Sequence, residues 1–273
     1  MKLGRIPWIN SYPIYTAIDR GLVSVPADLV SGTASELNDL LAAGELQVSV
    51  VSAVEYARNA VEYHLLPDLA ITCDGPVHSV ALFSRRPPSE LDGGTILITA
   101  SSRTSVLLLE LLCRHRWGVR PHFVSARAEA PDLEALEGLP HDAVLVIGDA
   151  ALMLAAQSRY PVRVDLGTAW KEWTGLPFVF AVWAARRDAR AEGVKAVHRG
   201  LLDSRAWGLA HLDELANEAH RRTGVGAPAC RAYLGDLDYA LSYRHLAGLT
   251  DFFRRLAAEG LVPDGSLSFI SAA

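Results

Sequence analysis

Cysteine, clustered histidine, basic runs and long apolar segments are all scarce in this chain, and each scarcity removes a class of protein. Only three cysteines occur, Cys73, Cys113 and Cys230, far apart and without a C-x-x-C pair. Buried free thiols are expected rather than a disulfide framework or a zinc ribbon. The nine histidines are scattered, with no H-x-x-x-H or H-E-x-x-H spacing, so no metal site is expected, nor a cofactor. The 26 Lys and Arg residues form no block or stripe and the net charge is −5, which argues against nucleic acid as a partner. No apolar run reaches the roughly 18 residues of a membrane span. The start, Met-Lys-Leu-Gly-Arg-Ile-Pro-Trp, lacks the apolar core and small-residue cleavage site of a signal peptide. The expected setting is the cytoplasm, with no membrane partner.

What is present is a globular composition of 273 residues, half of them hydrophobic, enough for one large domain or two ordinary ones. The first half repeats strand, small polar residues, helix. Leu3–Ile9 reads as a strand, followed by Asn10-Ser11-Tyr12 and by Pro13 at a first helical position. Ala27–Val30 leads into Ser31-Gly32-Thr33, where Thr33 and Glu36 form a capping box. Val48–Val51 leads into Ser52, which with Glu55 forms a second box opening a helix to about Tyr63. Ala70–Cys73 and Ser79–Ser84 read as strands. Thr95–Thr99 leads through Ser102-Arg103-Thr104-Ser105 into a helix over Val106–Trp117, and Ala143–Ile147 leads through Gly148-Asp149 into a helix from Ala150. Ser125–Leu139 reads as helix, loop or both.

This alternation predicts an α/β fold with a mostly parallel, helix-covered sheet. Ligands in such sheets sit beyond the carboxyl ends of strands, where helices begin. Five successive helix starts carrying Ser, Thr, Asn, Asp or Gly present free N–H groups and partial positive charge. Each one is by itself an ordinary cap; together they point to a site for a small anion. The candidates are Asn10, Ser11, Ser31, Gly32, Thr33, Ser52, Ser102, Thr104, Ser105, Gly148 and Asp149. Arg103 is a further candidate, with a solvated helix-start role as its alternative.

Trp170–Trp183 holds three of the six tryptophans. It reads as a turn at Thr174-Gly175 followed by an apolar strand from Phe178. It is either a core strand behind a surface turn or a pocket rim in which Thr174, Gly175 and neighbouring N–H groups meet a ligand. Arg85-Arg86-Pro87-Pro88-Ser89-Glu90 reads as a stiff crossing, and Arg186-Arg187-Asp188 as a second. Two crossings predict two lobes, one from residues 1–84 plus 186–273 and the other from 85–185. Residues 189–273 read as mainly helical. No internal sequence repeat is apparent.

Several segments together resemble a known family. Trp8-Ile9-Asn10-Ser11-Tyr12-Pro13, Ser31-Gly32-Thr33, Gly75-Pro76-Val77-His78-Ser79-Val80, Ser102-Arg103-Thr104-Ser105, Asp165-Leu166-Gly167 and Trp173-Thr174-Gly175-Leu176-Pro177-Phe178-Val179-Phe180-Ala181 are similar to the chorismate dehydratases of the futalosine route to menaquinone. The resemblance runs over essentially the whole chain. It implies a type 2 periplasmic-binding-protein-like fold, with two α/β lobes, a two-stranded hinge and an interlobe cleft. It also implies loss of water from chorismate, a small dianion, to give 3-[(1-carboxyvinyl)oxy]benzoate.

On that resemblance Asn10 positions the substrate or assists the leaving hydroxyl, and Ser79 hydrogen-bonds a carboxylate. The base is either His78 or the substrate's own enolpyruvyl carboxylate. Neighbouring strand residues face opposite ways, which favours Ser79 in the site and His78 outside it. Asp149 is read as an acid for the leaving group or as an N-cap, and Trp173 and Phe178 as covers for the ring or as packing between lobes. Three other readings compete: the synthase of the same route that makes 1,4-dihydroxy-6-naphthoate, a solute-binding protein for a small anion, and an effector domain of a regulator. Without a recognisable export signal or DNA-binding segment, the last two are disfavoured.

Overall fold

The computed structural model describes residues 1–99, 102–128, 132–136 and 138–270. In chain order the strands are β1 (Lys2–Arg5), β2 (Asp28–Ser31), β3 (Val48–Ser52), β4 (Tyr63–Cys73), β5 (Val80–Ser84), β6 (Thr95–Thr99), β7 (His122–Ala126), β8 (Ala143–Ile147), β9 (Val162–Asp165) and β10 (Phe178–Arg186). The helices are α1 (Tyr12–Asp19), α2 (Ala34–Ala42), α3 (Ala53–Arg58), α4 (Arg103–Leu111), α5 (Leu133–Leu136), α6 (Gly148–Ala156), α7 (Leu166–Thr174), α8 (Ala191–Ala210), α9 (Leu212–Thr223), α10 (Ala227–Asp236) and α11 (Tyr243–Ala258).

The strands form two five-stranded sheets, ordered β2-β1-β3-β10-β4 and β7-β6-β8-β5-β9. In the first, β1 is parallel to β2 and β3, and β10 is antiparallel to β3 and β4. In the second, β6 is parallel to β7 and β8, and β5 is antiparallel to β8 and β9. Each sheet thus holds one reversed strand in the same place, and that strand is the one arriving from the other sheet. The two sheets share one topology without sharing a sequence repeat, because a buried strand demands only an apolar run: β3, β5 and β8 are buried along their whole length.

The crossings lie elsewhere than expected. Residues 80–84 pair with β8 and β9 in the second sheet, and 178–186 pair with β3 and β4 in the first. The chain therefore leaves the first sheet at 74–79 and returns at 175–177, so by sheet membership the division is 1–73 plus 178–270 against 80–174. The boundaries at 85 and 186 are corrected accordingly. The proline pair is stiff, but it bends the chain within one sheet, into a single 3-10 turn at Pro88–Glu90 ahead of β6. The two crossings leave the first sheet side by side, since Phe178 pairs with Cys73.

Other departures have local causes. β1 stops at Arg5, because Pro7 has no N–H for a ladder; residues 9–11 form a 3-10 turn instead. α3 ends at Arg58, after which β4 starts at Tyr63. The helix expected from Val106 begins at Arg103 and widens to a π-helix over Leu112–Trp117, closed by Gly118 in the left-handed conformation. Residues 166–174, read as loop and turn, are helix α7, capped by the Asp165 carboxylate on the Thr168 amide. Ser125–Leu139 contains the end of β7 and the short α5, with 129–131 and 137 outside the described residues.

One hydrophobic cluster runs across both sheets, and a smaller one around Phe83, Val144 and Leu154 belongs to the second sheet alone. Trp183 donates from Nε1 to the Tyr15 hydroxyl at 2.9 Å, and Tyr15 donates to the Gly4 carbonyl at 3.0 Å, tying β10, α1 and β1 together in the interior. α8 packs on α1 so closely that a Cβ on Gly208 would stand 2.2 Å from the Pro13 carbonyl oxygen. In an open helix, Gly→Ala stabilises by about 1 kcal/mol; here overpacking, at about 1–3 kcal/mol, wins. Gly208→Ala is expected to lower the melting temperature by several degrees, and a rise in a thermal melt would show that the contact is looser than described.

Candidate functional site

A cavity lies between the sheets, at the kind of position between two layers of a fold that small-molecule sites favour. Its walls come from strands, helix starts and the turns between them on both sides: Ile6, Trp8, Asn10, Ala34, Val50, Val51, Ser52, Ile71, Phe180 and Ala181 from the first sheet's layers, and Val80, Ser102, Ser105, Ile147 and Gly148 from the second's. Val77 and Ser79, from the first crossing, join them. Among the described residues, no Asp, Glu, Lys, Arg or His lines it. Its side-chain polarity comes from one amide and four serine hydroxyls, and the starts of α2, α4 and α6 border it. Helix N-termini carry partial positive charge worth about 0.3–2 kcal/mol each to a nearby anion.

Each polar wall residue is held by its local structure. Asn10 is buried, and its Oδ1 has no hydrogen-bond partner. An unsatisfied buried acceptor is costly, and this one is in the cavity wall. Ser11 holds the turn beneath it, its hydroxyl 2.8 Å from both the Ile6 and Trp8 carbonyls, which share its one proton. Ser52 caps α3 by accepting from the Glu55 amide at 3.3 Å, and Asn38 accepts from the Ser52 amide. The box expected there is half formed, because the Glu55 carboxylate turns to Arg103 and Asn59 instead. Ser102 caps α4, accepting from the Ser105 amide at 3.2 Å and donating to the Ser105 hydroxyl at 2.9 Å.

The Ser79 carbonyl accepts from the Gly148 amide at 2.7 Å, joining the crossing to α6. Gly148 has φ +63°, and a Cβ there would sit 3.2 Å from the Trp8 ring. Only glycine fits both the backbone and the indole that closes this wall.

Of the expected site residues, Asn10, Ser52, Ser79, Ser102, Ser105 and Gly148 meet at the cavity. The others do not line it. Ser31 accepts from Arg5 Nε, Gly32 donates to the Arg5 carbonyl, and Thr33 completes its capping box with Glu36. Arg103 pairs with Glu55 and Asp39. The Thr104 hydroxyl accepts from the Val54 amide at 3.0 Å. Asp149 neither caps α6, whose N-cap is Ile147, nor faces the cavity; it accepts from the Ile9 amide at 3.1 Å.

Thr174 bonds to Trp170 and Leu176, and Gly175 ends α7 with φ +75°. Phe178 is core, packed against Trp170, Phe180 and Phe252. Trp173 stacks on His115 and lies under Arg255. The aromatic segment is therefore packing, apart from Phe180 and Ala181. These two neighbours both reach the cavity because β10 shifts register between Val179 and Ala181, and such a bulge re-aims side chains.

Two groups near the site are set apart from it as bases. His78, with φ +60°, contacts the Asp236 carboxylate through Nε2 at 2.8 Å and lies outside the cavity wall. Tyr233 is fully buried beside Ser79, and burial pushes its hydroxyl well above the ordinary range. Sequence reasoning missed Trp8 and the apolar walls; an aromatic two residues before Asn10 was the available signal for Trp8. No helix among the described residues is long and apolar enough to cross a membrane, and no cluster of three or more His, Cys, Asp or Glu able to hold a metal occurs among them.

If Gly148 and Trp8 close the wall together, Gly148→Ala strains the backbone and displaces the indole. The expected result is a tryptophan emission shift and at least tenfold weaker binding of any ligand taken by the parent. Unchanged emission and affinity would remove Trp8 from the site.

A family model described as menaquinone biosynthesis matches residues 1–258. A chorismate dehydratase of Thermus thermophilus is 36% identical over 237 residues, covering 81% of this chain and 84% of its own. A 1,4-dihydroxy-6-naphthoate synthase of the same organism is 28% identical, covering 78% and 76%. Among solved structures, the periplasmic aliphatic sulphonate binding protein SsuA of Escherichia coli superposes with a TM-score of 0.68 at 13% identity, over 100% of this chain and 94% of that one. The fold is that of the periplasmic binding proteins, with two α/β lobes and the cavity between them, and the chain belongs to the menaquinone-biosynthesis family.

Proposed function

We propose that the protein is a chorismate dehydratase, a hydro-lyase that removes water from chorismate to give 3-[(1-carboxyvinyl)oxy]benzoate. The relation to the Thermus dehydratase supports this reading over the synthase, whose relative is less similar. The observation that carries the mechanism is the absence of any ionisable side chain from the cavity wall among the described residues. The reaction removes a proton from the ring carbon bearing the enolpyruvyl ether and hydroxide from its neighbour. A general base must lie within hydrogen-bond reach of its proton, and these walls offer only hydroxyls and an amide.

The substrate's enolpyruvyl carboxylate is then the base. It takes the ring proton, and the electron pair spreads through the ring double bond to the ring carboxylate. Expulsion of the neighbouring hydroxide follows, and that hydroxide leaves as water with the proton the carboxylate took. Aromatisation drives the sequence forward. The protein's share is orientation and electrostatics. Ser79, Ser102, Ser105 and the N–H groups at the starts of α4 and α6 hold the carboxylates and stabilise the charge that grows on the ring carboxylate. Asn10 holds the ring hydroxyl, whose O–H supplies the donor that Asn10 Oδ1 lacks.

Purified protein mixed with chorismate, without added metal or cofactor, is expected to yield a product one water lighter with an aromatic ring, seen by chromatography with mass detection. Asn10→Ala is expected to lower turnover by a factor of 100 or more, and His78→Ala to leave it within a few-fold. Unchanged chorismate with a folded protein would remove the assignment. A folded but inactive His78→Ala variant would remove the substrate as base.

A further inference from the structure

Arg103 sits at the first position of α4, where the helix's own partial positive charge repels a cation. Its surroundings explain why it is there. Its guanidinium spans from the second sheet's layer to two carboxylates on the first: Glu55 in α3, whose side chain is 2% exposed, and Asp39 in α2, at 2.8 Å and on the solvent side. Burial holds the Glu55 carboxyl above its ordinary range, an effect that Arg103 beside it only partly offsets. Directly next in sequence, Thr104 is buried and accepts the Val54 amide, so a residue of α4 supplies the oxygen that satisfies a free N–H at the start of α3.

Ser102 and Ser105 flank this pair of contacts and line the cavity, as does Ser52 just ahead of α3. The starts of α3 and α4 are thus locked to each other across the cleft, with the lock behind the serines and outside the cavity wall.

We propose that Arg103 is a positioning residue, whose bonds to Glu55 and Asp39 clasp the two lobes and set Ser102 and Ser105 against the ligand that the cavity closes on. It touches no ligand itself. The geometry of Arg is needed because one planar fork reaches two carboxylates at once, which a lysine ammonium does not reproduce. Without the clasp, the closed arrangement is a smaller fraction of the free protein. Apparent affinity falls by that fraction, while the chemistry in the closed complex is unchanged. The kinetic arm of the test rests on the dehydratase reading; the exchange arm does not.

Arg103→Gln, Arg103→Lys and Asp39→Asn would be compared with the parent by steady-state kinetics on chorismate and by amide hydrogen exchange without ligand. Arg103→Gln is expected to raise KM by about tenfold or more, with kcat within about threefold, and Arg103→Lys to fall between it and the parent. The Val54 amide is expected to exchange about tenfold faster, with β3 and β8 unchanged. Should Arg103→Gln fail to fold, Asp39→Asn, on the exposed arm, is expected to show the same pattern at smaller size. Unchanged Val54 exchange in a folded variant would overturn the clasp. Faster exchange throughout both sheets, with kcat falling and KM constant, would reduce Arg103 to general stability. If the parent leaves chorismate unchanged, the functional reading fails, and the Val54 result still decides the clasp.

Discussion

The double passage of the chain between sheets, out at 74–79 and back at 175–177, is the constraint from which the site follows. Each sheet receives one strand from the other, reversed in direction. The parallel strands therefore aim their carboxyl ends, and the helices that follow, toward the gap between the sheets. The crossing is pinned: the Asp165 carboxylate accepts from the Val77 and His78 amides, and Ser79 accepts from Gly148. That pinning puts Ser79 in the wall and turns His78 out to Asp236.

A cleft made this way collects helix starts from both sides without needing any charged residue in its lining. Ionisable groups stand one layer back, on the lobe boundary: Arg103 with Glu55 and Asp39, and Asp149 near Arg222 at 3.7 Å. The wall supplies dipoles and the layer behind it supplies full charges. For a dianion, this arrangement gives fixed N–H and O–H donors while avoiding a protein carboxylate or a strong cation beside the reacting ring. Preorganised dipoles in a water-poor site are the effective form of such stabilisation.

The fold class and most helix starts were legible because strand runs and caps are local: the capping box at Thr33 and the cap at Ser52 stand where their spacing put them, while α4 starts three residues early, capped by Ser102. Sheet membership was not, because pairing is between segments far apart in sequence. Residues 80–84 are an apolar run in either sheet, and a proline pair bends a chain equally well within a lobe or between lobes. The site was half legible for the same reason. A serine at a helix start announces a cap, and only the neighbouring sheet decides whether that cap also faces a cavity. Ser102 does and Thr33 does not. Phe180 was hidden by a register shift, which alternation along a strand does not reveal.

On the proposed function, the central claim is that no group of the protein exchanges the ring proton. The pH dependence of kcat/KM for chorismate tests it most directly. A substrate carboxylate as base titrates below about pH 5, and the amide and hydroxyls of the wall do not titrate near neutrality. The profile is expected to be flat from about pH 6 to 9 in the range where the protein stays folded. An inflection of unit slope near pH 6.5, abolished by replacing a histidine, would place a protein base in the mechanism and contradict the account.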